Sequence, residues 1–501
     1  MTAPAAHQPL TLIVLAAGEG TRMRANALPK VLHGFAGRSL IGHVLAATSE
    51  LTADTTAVVI GHRREEVTQH LADIAPGAVP VVQHEQNGTG HAVRVALDEI
   101  ERRAEASTAG TVVVLPGDAP GLSPATLTGL LAEHLESGAA ATMLTSVVAD
   151  PTGYGRVIRD PDQPGAVRKV VEHKDATAEE LLVTEVSALV YAFDAGLLRD
   201  AVGRLSTDNA QGEEYLPDVV AILVSDGRDV RARLAPATET AGVNDRVQLA
   251  AAHRAYNRRL VEQHMHNGVT IIDPDTTWLD ADVVLAADVV LKPNVQLHGQ
   301  TRISAGAVIG PDCTLTDTEV GAGSVLQRTV AVQARIGAGV TVGPFAYLRP
   351  GTELADQVHI GTYVEIKGSD IGTGSKVPHL SYVGDASIGE HTNIGAASVF
   401  VNYDGVHKHR SVIGNHARTG ADNMFVAPVR VGDGAYTAAG SVIVSDVPPG
   451  ALGVGRARQR NVAGWVARQR NGTAAAEAAR AAGSPAASID NERSDSGSTE
   501  T

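Results

Sequence analysis

A six-residue repeat of aliphatic residues between Leu279 and Ile443 constrains the fold of this chain more than any other feature. The repeat falls on three registers, which run from Leu279 to Leu315, from Ile336 to Ile366 and from Ile413 to Ile443. Neither the helix period of about 3.6 residues nor strand alternation produces a period of six residues. One aliphatic residue per short, fixed unit is typical of a β-helix, in which three units form a coil of roughly 18 residues. We therefore predict a parallel β-helix, with these aliphatic side chains in its core and glycine at many corners.

The composition restricts the classes of function. At 501 residues the chain is long enough for two or three domains. Its net charge of -15 argues against nonspecific nucleic-acid binding, although local cations can still receive an anionic substrate. The one cysteine, Cys313, excludes an internal disulfide framework and a cysteine metal cluster. The apolar run Leu12–Ala17 is too short for a signal peptide or a membrane span, so we expect a cytoplasmic protein.

The stretch from Leu10 to about Val148 alternates short apolar runs with amphipathic segments. This alternation predicts a parallel, doubly wound sheet, which binds ligands at the carboxyl ends of its strands. The predicted strands are Leu12–Leu15, Thr56–Ile60, Val79–Val82 and Thr111–Leu115, and the predicted helices are Ser39–Glu50, Arg63–Ile74, Gly90–Glu101 and Pro124–Glu136.

A glycine-rich turn from Leu15 to Met23 follows the first predicted strand. The backbone N–H groups of such a turn can approach a phosphate, although a lone Gly-x-Gly is as often only a tight turn. The turn is neither the dinucleotide fingerprint nor a Walker loop. Arg22 and Lys30 add two cations beside it, which fits a triphosphate.

Further motifs follow in an order that resembles the sugar-1-phosphate nucleotidyltransferases. They are Gln83, Gly88 to Ala92, Pro116 to Asp118, Gly153 to Arg156, Val171 to Asp175, and Gly242 to Asn244. Together with the C-terminal repeat, they make the chain resemble, from roughly Leu10 to Val466, the bifunctional N-acetylglucosamine-1-phosphate uridyltransferases/glucosamine-1-phosphate N-acetyltransferases. That family joins a Rossmann-like α/β nucleotidyltransferase domain to a left-handed parallel β-helix. The resemblance implies that glucosamine 1-phosphate is acetylated from acetyl-CoA. The product would then react with UTP to give pyrophosphate and UDP-N-acetylglucosamine, a cell-envelope precursor.

The resemblance also implies roles for residues of the first half. Asp118 and Asn244 would ligate Mg²⁺, which prefers oxygen ligands, and Arg22 and Lys30 would face the phosphates. The nucleotide and the sugar would contact Leu15, Ala16, Ala17, Gly18, Gln83, Gly88, Thr89, Pro116, Gly117, Gly155, Glu172 and Ser187.

Two departures from the family pattern affect these assignments. The segment from Arg22 to Lys30 is one residue longer than the family spacing, which would shift Lys30 slightly. Ser187 stands where the family carries a sugar-binding asparagine, which predicts a weakened contact with the sugar. The alternative is that Ala188 and Leu189 have repacked the pocket around the serine.

The second half carries the residues that the resemblance assigns to acetyl transfer. One histidine among 19 is usually a surface or core residue, but His379 lies beside the repeat and matches the family's catalytic base. Acetyl transfer to an amine needs a base that titrates near neutral pH, as histidine does. The sugar phosphate would contact Arg349, Lys367, Tyr382 and Asn393, and acetyl-CoA would contact Ala396, Asn402, Tyr403, Ala421, Ala439 and Arg456. Ala421 replaces a serine that is usual in the family.

An insertion, Asn402–Lys408, interrupts the six-residue repeat. It is either a simple hairpin turn or a loop that lies against a neighbouring subunit and forms part of a site.

These observations predict a four-part chain: a nucleotidyltransferase domain (1–246), a linker helix (247–268), an acetyltransferase β-helix (269–470) and a disordered tail (471–501). The resemblance further implies a homotrimer, with no nucleic-acid partner. One alternative is a single-activity nucleotidyltransferase that uses the repeat only for assembly; His379 and the insertion argue against it. The other is a non-catalytic scaffold, against which Arg22, Lys30, Asp118 and Asn244 argue together.

Overall fold

The computed structural model describes residues 8–24, 28–103, 110–163 and 165–483. The added residue in the segment from Arg22 to Lys30 cannot be located within it, because 25–27 lie outside the described residues. Among the described residues, no helix is both long enough and apolar enough to cross a membrane.

The N-terminal half is a mixed α/β sheet with helices on both faces. The strand Leu10–Ala16 lies at its centre and pairs in parallel with Thr55–Ile60 on one side and Thr111–Pro116 on the other. Buried aliphatic side chains form a separate core on each face, because successive residues of a strand point to opposite sides. In spatial order the main strands are Val230–Leu234, Ala141–Val147, Glu185–Asp194, Thr111–Pro116, Leu10–Ala16, Thr55–Ile60 and Val79–Val82.

Shorter strands and the helices complete this half. The shorter strands are Arg156–Arg159, Val167–Val171, Gly34–Phe35 and Arg38–Ser39. The helices are Leu40–Ala47, Arg64–Ile74, Thr89–Arg102, Pro124–Ser137, Ala195–Val202, Asp218–Ser225 and Ala237–Thr240, with single 3₁₀ turns at Thr21–Met23, Lys30–Leu32 and Glu180–Leu182. The four predicted strands and four predicted helices of residues 10–148 are confirmed, with ends that differ by at most three residues.

The four strands predicted within residues 10–148 pair in parallel, but the complete sheet is mixed because later strands join it in the opposite direction. Glu185–Asp194 inserts between Thr111–Pro116 and Ala141–Val147 and runs antiparallel to both. This strand follows the hairpin formed by Arg156–Arg159 and Val167–Val171, so no crossover helix brings the chain back to the same edge. A reversed strand needs no such helix, and the alternation of strands and helices earlier in the chain does not reveal it.

The C-terminal half is a left-handed parallel β-helix with three walls. Its first wall contains Thr270–Ile271, Val290–Leu291, Val308–Ile309, Val325–Leu326, Thr341–Val342, His359–Thr362 and Lys376–His379, and Tyr436–Thr437 pairs with Leu452–Gly453 further along. The second contains Trp278–Leu279, Val295–His298, Cys313–Thr316, Thr329–Val332, Ala346–Leu348, Glu365–Lys367, Tyr382–Gly384, Val399–Val401, Met424–Val426 and Val442–Ile443. The third contains Val284–Leu285, Arg302–Ile303, Glu319–Val320, Arg335–Ile336, Glu353–Leu354, Asp370–Ile371, Ala386–Ile388, Ser411–Ile413 and Val429–Val431.

Every residue of the three predicted registers is buried in the core of the β-helix. Leu279 pairs with Leu297, which pairs with Leu315, so a regular coil takes 18 residues. The register slips where Leu315 pairs with Ala331, because that coil is shorter. The insertion Asn402–Lys408 lengthens a later coil, in which Phe400 pairs with Phe425, and the stack of coils continues beyond it.

A helix, Arg246–His266, contacts both halves of the molecule. Asn257 is buried; its amide donates to the carbonyl of Thr277 at 2.7 Å, and its Oδ1 accepts the N–H of Leu279 at 2.9 Å. On the other side, Arg259 donates to the carbonyl of Gly121 at 2.7 Å. These bonds orient the first coil of the β-helix relative to the α/β half.

The chain after the β-helix differs from the predicted disordered tail. A helix, Ala474–Ala481, follows the helix Trp465–Gln469 and packs against it. Alanine has the highest helix propensity, and the Thr473 hydroxyl caps the helix by accepting the N–H of Ala476. The prediction considered only the missing apolar pattern and overlooked both signals. Residues 484–501 lie outside the described residues.

Candidate functional sites

A cavity of about 300 Å³ lies beside the carboxyl ends of the central strands of the α/β half. Its wall combines the glycine-rich turn, the end of the strand Thr111–Pro116 and the start of the helix Thr89–Arg102. Parallel sheets bind ligands at this edge. Ten of the residues predicted for the nucleotide line it: Leu15, Ala16, Ala17, Gly18, Lys30, Gln83, Gly88, Thr89, Pro116 and Asp118.

Four polar side chains that lie far apart in the sequence meet at this cavity. The Lys30 ammonium forms an ion pair with the Asp118 carboxylate and donates to Oδ1 of Asn244 at 2.8 Å. Arg22 donates to the same Oδ1 at 2.9 Å. The two acceptors are held together because the N–H of Val243 donates to the carbonyl of Asp118 at 2.9 Å. A carboxylate and an amide oxygen therefore converge on one cation, with a second cation beside it.

Two glycines permit this arrangement. A Cβ at Gly117 would lie 2.9 Å from the carbonyl oxygen of Leu15, which accepts the Gly117 N–H at 2.8 Å. Gly88 has φ +107°, and a Cβ there would lie 2.5 Å from the carbonyl oxygen of Glu214. A larger residue at either position would displace the end of the strand or the start of the helix.

The three residues predicted for the sugar lie beside the cavity and do not line it. The carbonyl of Gly155 accepts the N–H of Ser187 at 2.9 Å, and a Cβ at Gly155 would lie 3.3 Å from Oε1 of Glu172. Burial, followed by the negative charges of Asp218 and Asp175, raises the pKa of Glu172. Gly155, Glu172 and Ser187 thus lie close to one another, next to the cavity.

The Ser187 hydroxyl forms hydrogen bonds with other groups of the protein. It shares a hydrogen bond of 3.0 Å with the Tyr191 hydroxyl and accepts the N–H of Leu189 at 3.3 Å. Between Ser187 and Tyr191 the pairing with the neighbouring strand is irregular, and Leu189 has φ +58°. The left-handed conformation costs a non-glycine residue roughly 1–2 kcal/mol. Leu189 nevertheless adopts it, and its side chain lines the cavity.

In the β-helix, Asp385 joins side chains that were predicted for two different ligands. Lys367 donates to the Asp385 carboxylate at 2.9 Å, and the Asn402 amide donates to it at 2.6 Å. The same amide lies 3.5 Å from the Tyr382 hydroxyl. Burial alone would raise the pKa of Asp385, but the hydrogen bonds from Lys367 and Asn402 outweigh burial and lower it. The hydrogen bond to Asp385 raises the pKa of Lys367 in turn.

Arg349 belongs to the same region, whereas Asn393 lies on another wall. Arg349 donates to Glu365 at 2.9 Å, and Glu365 pairs in register with Tyr382. Asn393 forms parallel bridges with Lys376 and Arg418 instead. The structure therefore brings three of the four residues predicted for the sugar phosphate close together.

The predicted base and three residues predicted for acetyl-CoA form one column along a corner of the β-helix. The N–H of Ala397 donates to the carbonyl of His379 at 3.1 Å. One coil further, the N–H of Asp422 donates to the carbonyl of Ala396 at 2.7 Å. The column continues through Ala421 to Ala439, and a Cβ at Gly440 would lie 3.7 Å from Cδ of Arg456. Since coils lie about 4.8 Å apart, this exposed column is long enough for an extended ligand.

The insertion Asn402–Lys408 forms a hairpin. Tyr403 and Lys408 form an antiparallel bridge at its base, and the Tyr403 hydroxyl donates to the carbonyl of Gly405 at 2.6 Å. Asp404 accepts the N–H of His407 at 2.6 Å within the turn. The hairpin projects from the β-helix and leaves the Tyr403 ring exposed.

Several residues of both sites were missed by sequence reasoning. The cavity is also lined by Val31, Gln86, Ala92 and Glu213, and by Leu189, which the sequence indicated only as a residue that could repack the pocket around Ser187. Gln86 donates to the carbonyl of Ala17 at 2.9 Å; its place between two recognised motifs was a usable signal. Asp385 lies six residues after His379 in the sequence. Its carboxylate, close in sequence to the predicted base and to Lys367, was also a usable signal. The position of Leu189 depends on a strand irregularity that the sequence does not reveal.

Comparison with known proteins agrees with this geometry. The family model of the MobA-like NTP transferase domain matches residues 12–182. Proteins named bifunctional protein GlmU are similar over nearly the whole chain. The protein from Streptomyces avermitilis is 57% identical over 478 residues, covering 95% of this chain and 98% of the relative. The protein from Thermobifida fusca is 57% identical over 478 residues, with coverage of 95% and 98%. That from Mycolicibacterium vanbaalenii is 54% identical over 470 residues, with coverage of 93% and 94%. The resemblance that the sequence motifs indicate is thereby confirmed, and the chain belongs to the GlmU family of bifunctional nucleotidyltransferase–acetyltransferase proteins.

Proposed function

We propose that the two sites divide the two reactions of the GlmU family between the halves of the chain. The bifunctional enzyme acetylates glucosamine 1-phosphate with acetyl-CoA and then transfers UMP from UTP to N-acetylglucosamine 1-phosphate, releasing pyrophosphate. The convergence of Arg22, Lys30, Asp118 and Asn244 at the cavity carries this proposal, because it places two cations and two oxygen ligands where a triphosphate needs them.

In uridylyl transfer the α/β half aligns two anionic substrates. The nucleophile is a phosphate oxygen of the sugar phosphate, already ionised at neutral pH, so the reaction needs no general base. Arg22 and Lys30 neutralise the phosphates of UTP, while Gln83, Gly88 and Thr89 hold the uridine. The backbone from Leu15 to Gly18 and the turn at Pro116 and Gly117 shape the rest of the cavity. Gly155, Glu172 and Ser187 lie on the side of the cavity that receives the sugar.

The residues present fit a magnesium ion. Asp118 and Asn244 offer one carboxylate and one amide oxygen, and the Lys30 ammonium between them marks a position where a cation is stabilised. Magnesium is usually held by one or two protein groups together with water and substrate phosphates, so a larger protein ligand set is not needed. When bound there, the ion would neutralise charge on the phosphates during transfer. Lys30 would then be free to turn to the phosphates of UTP.

In acetyl transfer we assign His379 the role of general base. It removes a proton from the glucosamine amine as the nitrogen attacks the thioester carbonyl, and the CoA thiolate leaves. Arg349 and Lys367 bind the sugar phosphate, and Tyr382 and Asn393 orient the amino sugar. Acetyl-CoA extends along the column of Ala396, Ala421, Ala439 and Arg456, with Asn402 and Tyr403 of the hairpin beside it.

We also propose that the β-helices assemble as a homotrimer through the second wall. Its outward row contains five exposed apolar residues in two runs, Val330 and Tyr347 followed by Val399, Met424 and Val442, with Glu365 and Tyr382 between the runs. Phe345, Tyr363 and Leu380 extend this row at the adjoining corner. Exposed apolar residues that line up along one wall favour contact with another protein surface, here second and third copies of the chain. We expect a cytoplasmic location, where the buried Cys313 stays a free thiol.

The test is a pair of assays on the purified chain. One supplies glucosamine 1-phosphate and acetyl-CoA and measures released CoA; the other supplies UTP, N-acetylglucosamine 1-phosphate and Mg²⁺ and measures pyrophosphate. We expect turnover in both assays, with uridylyl transfer abolished when a chelator removes the metal and acetylation unaffected. Uridylyl transfer that persists without a divalent cation would contradict the metal assignment. Acetylation that is absent would limit the chain to a single activity.

A further inference from the structure

Leu189 is held in an unfavourable backbone conformation at the edge of the nucleotide cavity. Its φ of +58° lies in the left-handed region, which leucine rarely adopts. It occurs within the irregular stretch between Ser187 and Tyr191, where the strand loses its regular pairing. Non-glycine residues in such conformations concentrate at functional sites. Leu189 also lines the nucleotide cavity, so the unfavourable conformation occurs at the candidate site.

Leu189 lines the cavity, and its N–H donates to Ser187, one of the residues predicted for the sugar. The side chains of Ser187 and Leu189 both lie near Tyr191, since the Ser187 and Tyr191 hydroxyls share a hydrogen bond and Leu189 packs against the core cluster that contains Tyr191. Gly155 is bonded to the backbone of Ser187, and the charge of Glu172 acts on Tyr191. Gly155 and Glu172 therefore lie beside the residues that flank Leu189, while Leu189 and Asp118 line the same cavity.

We propose that Leu189 is a specificity-determining residue of the uridylyl-transfer site and limits the size of the sugar substituent that the site accepts. This inference rests on the proposed uridylyl transfer. A sugar 1-phosphate that reaches from Asp118 towards Glu172 must pass the isobutyl group of Leu189. A sugar with a hydroxyl at C2 passes more easily than one with the larger acetamido group. The site thus disfavours its acetamido substrate more than a glycine at this position would.

Ser187 is not the main determinant in this arrangement. Its hydroxyl already bonds to Tyr191 and to the N–H of Leu189, so it supports the irregular backbone and not a ligand. Its replacement by asparagine alone would leave Leu189 in place. The sequence attributes a weakened sugar contact to Ser187 alone; under this proposal Ser187→Asn does not restore sugar binding unless Leu189 is also removed.

The experiment compares Leu189→Gly with the unaltered chain in the uridylyl-transfer assay. The variant also suits the backbone, because glycine adopts this φ without steric cost. One methylene in a hydrophobic pocket changes discrimination by about 10–200-fold, so loss of the whole side chain should raise kcat/KM for N-acetylglucosamine 1-phosphate by about tenfold or more. For glucose 1-phosphate the gain should be about twofold or less, and the KM for UTP should stay within about twofold.

Two further variants make the result decisive. Thr52→Gly is the matched control. Thr52 is an exposed residue of the same half with φ +46°, and it does not line the cavity. Leu189→Ala removes most of the side chain but keeps the backbone strain. If Leu189→Gly does not fold, the same gain is expected of Leu189→Ala. Equal gains for both sugars, no gain, or a changed KM for UTP would overturn the proposal. If the unaltered chain and all variants lack turnover with any sugar 1-phosphate, the proposed uridylyl transfer itself fails.

Discussion

The two halves of this chain build their sites in opposite ways. In the α/β half, Arg22 and Lys30 bond to Asn244 across more than 200 residues of sequence, and the resulting site borders a cavity within one chain. In the β-helix, the site residues come from neighbouring coils and lie on an outer surface, where His379, Tyr403 and Arg456 are exposed. A solenoid has no interior large enough for a ligand, so it must bind on its surface. Such a site gains a second wall only from another molecule, whereas the α/β site has its walls already.

Removal of the carboxylate of the α/β site should give the largest difference between the two activities. Asp118→Ala takes away one of the two oxygen ligands proposed for the metal and the ion-pair partner of Lys30. Metal stabilisation of phosphate charge contributes several kcal/mol, so uridylyl transfer should fall by about 10³-fold or more. Acetylation should stay within about twofold, because the β-helix site lies elsewhere in the chain. Equal loss of both activities would indicate a shared site or a misfolded protein.

The converse change in the β-helix should reverse the pattern. His379→Ala removes the proposed base, and a positioned general base contributes about 10²–10⁴-fold in rate. Acetylation should fall by that factor while uridylyl transfer remains. His416→Ala is the control, because His416 is another exposed histidine at a corner of the β-helix. A loss in His379→Ala no larger than in the control would exclude His379 as the base.

The difference between a self-contained and an incomplete site can be tested at the apolar row. Val330 and Val284 are both exposed valines of the β-helix, at 44% and 46% of their surface, but they lie on different walls. Val330→Glu would bury a charge in the proposed trimer, which costs several kcal/mol and should raise the dissociation constant by about 10²-fold or more. Acetylation should fall with the loss of trimer, and uridylyl transfer should not.

Val284→Glu, at a similar exposure, should leave the mass measured by light scattering unchanged. A monomeric Val330→Glu protein with full acetylation would contradict the view that the β-helix site needs a neighbouring chain.

The fold was more predictable from the sequence than the sites. The six-residue repeat has one structural solution, and all its aliphatic positions are buried. The reversed strand Glu185–Asp194 gave no signal, because its own apolar pattern fits either direction. Among site residues, those in recognisable motifs, such as Asp118, were found. Asp385 was missed, and Leu189 entered only as part of an alternative, because a β-helix corner and a strand irregularity, which are tertiary features, position them.

The smallest expected effect concerns His43, at the junction of the two halves. This buried ring packs edge to face against Phe35 and against Tyr256 of the connecting helix, and its Nε2 lies 2.6 Å from the carbonyl oxygen of Phe35. Burial lowers the pKa of His43 from 6.5 to about 4; the hydrogen bond to Phe35 opposes this shift, and the Arg38 charge adds to it. Because the folded pKa lies below the unfolded one, the stabilisation is fully present above pH 6.5. It is lost as the pH falls through about 4.

At pH 5 the loss amounts to about 2 kcal/mol of unfolding free energy relative to pH 7. His43→Gln keeps a side chain that can hydrogen-bond but does not titrate, so its stability should fall by about 2 kcal/mol less over the same range. His62→Gln, at an exposed histidine of the same half, should behave like the unaltered chain. Calorimetric unfolding at both pH values measures these differences. Since His43 lies on a helix of the α/β half, the pH effect should appear in the transition that abolishes uridylyl transfer. An equal shift in the loss of acetylation would mean that the halves unfold as one unit, although their sites are built separately.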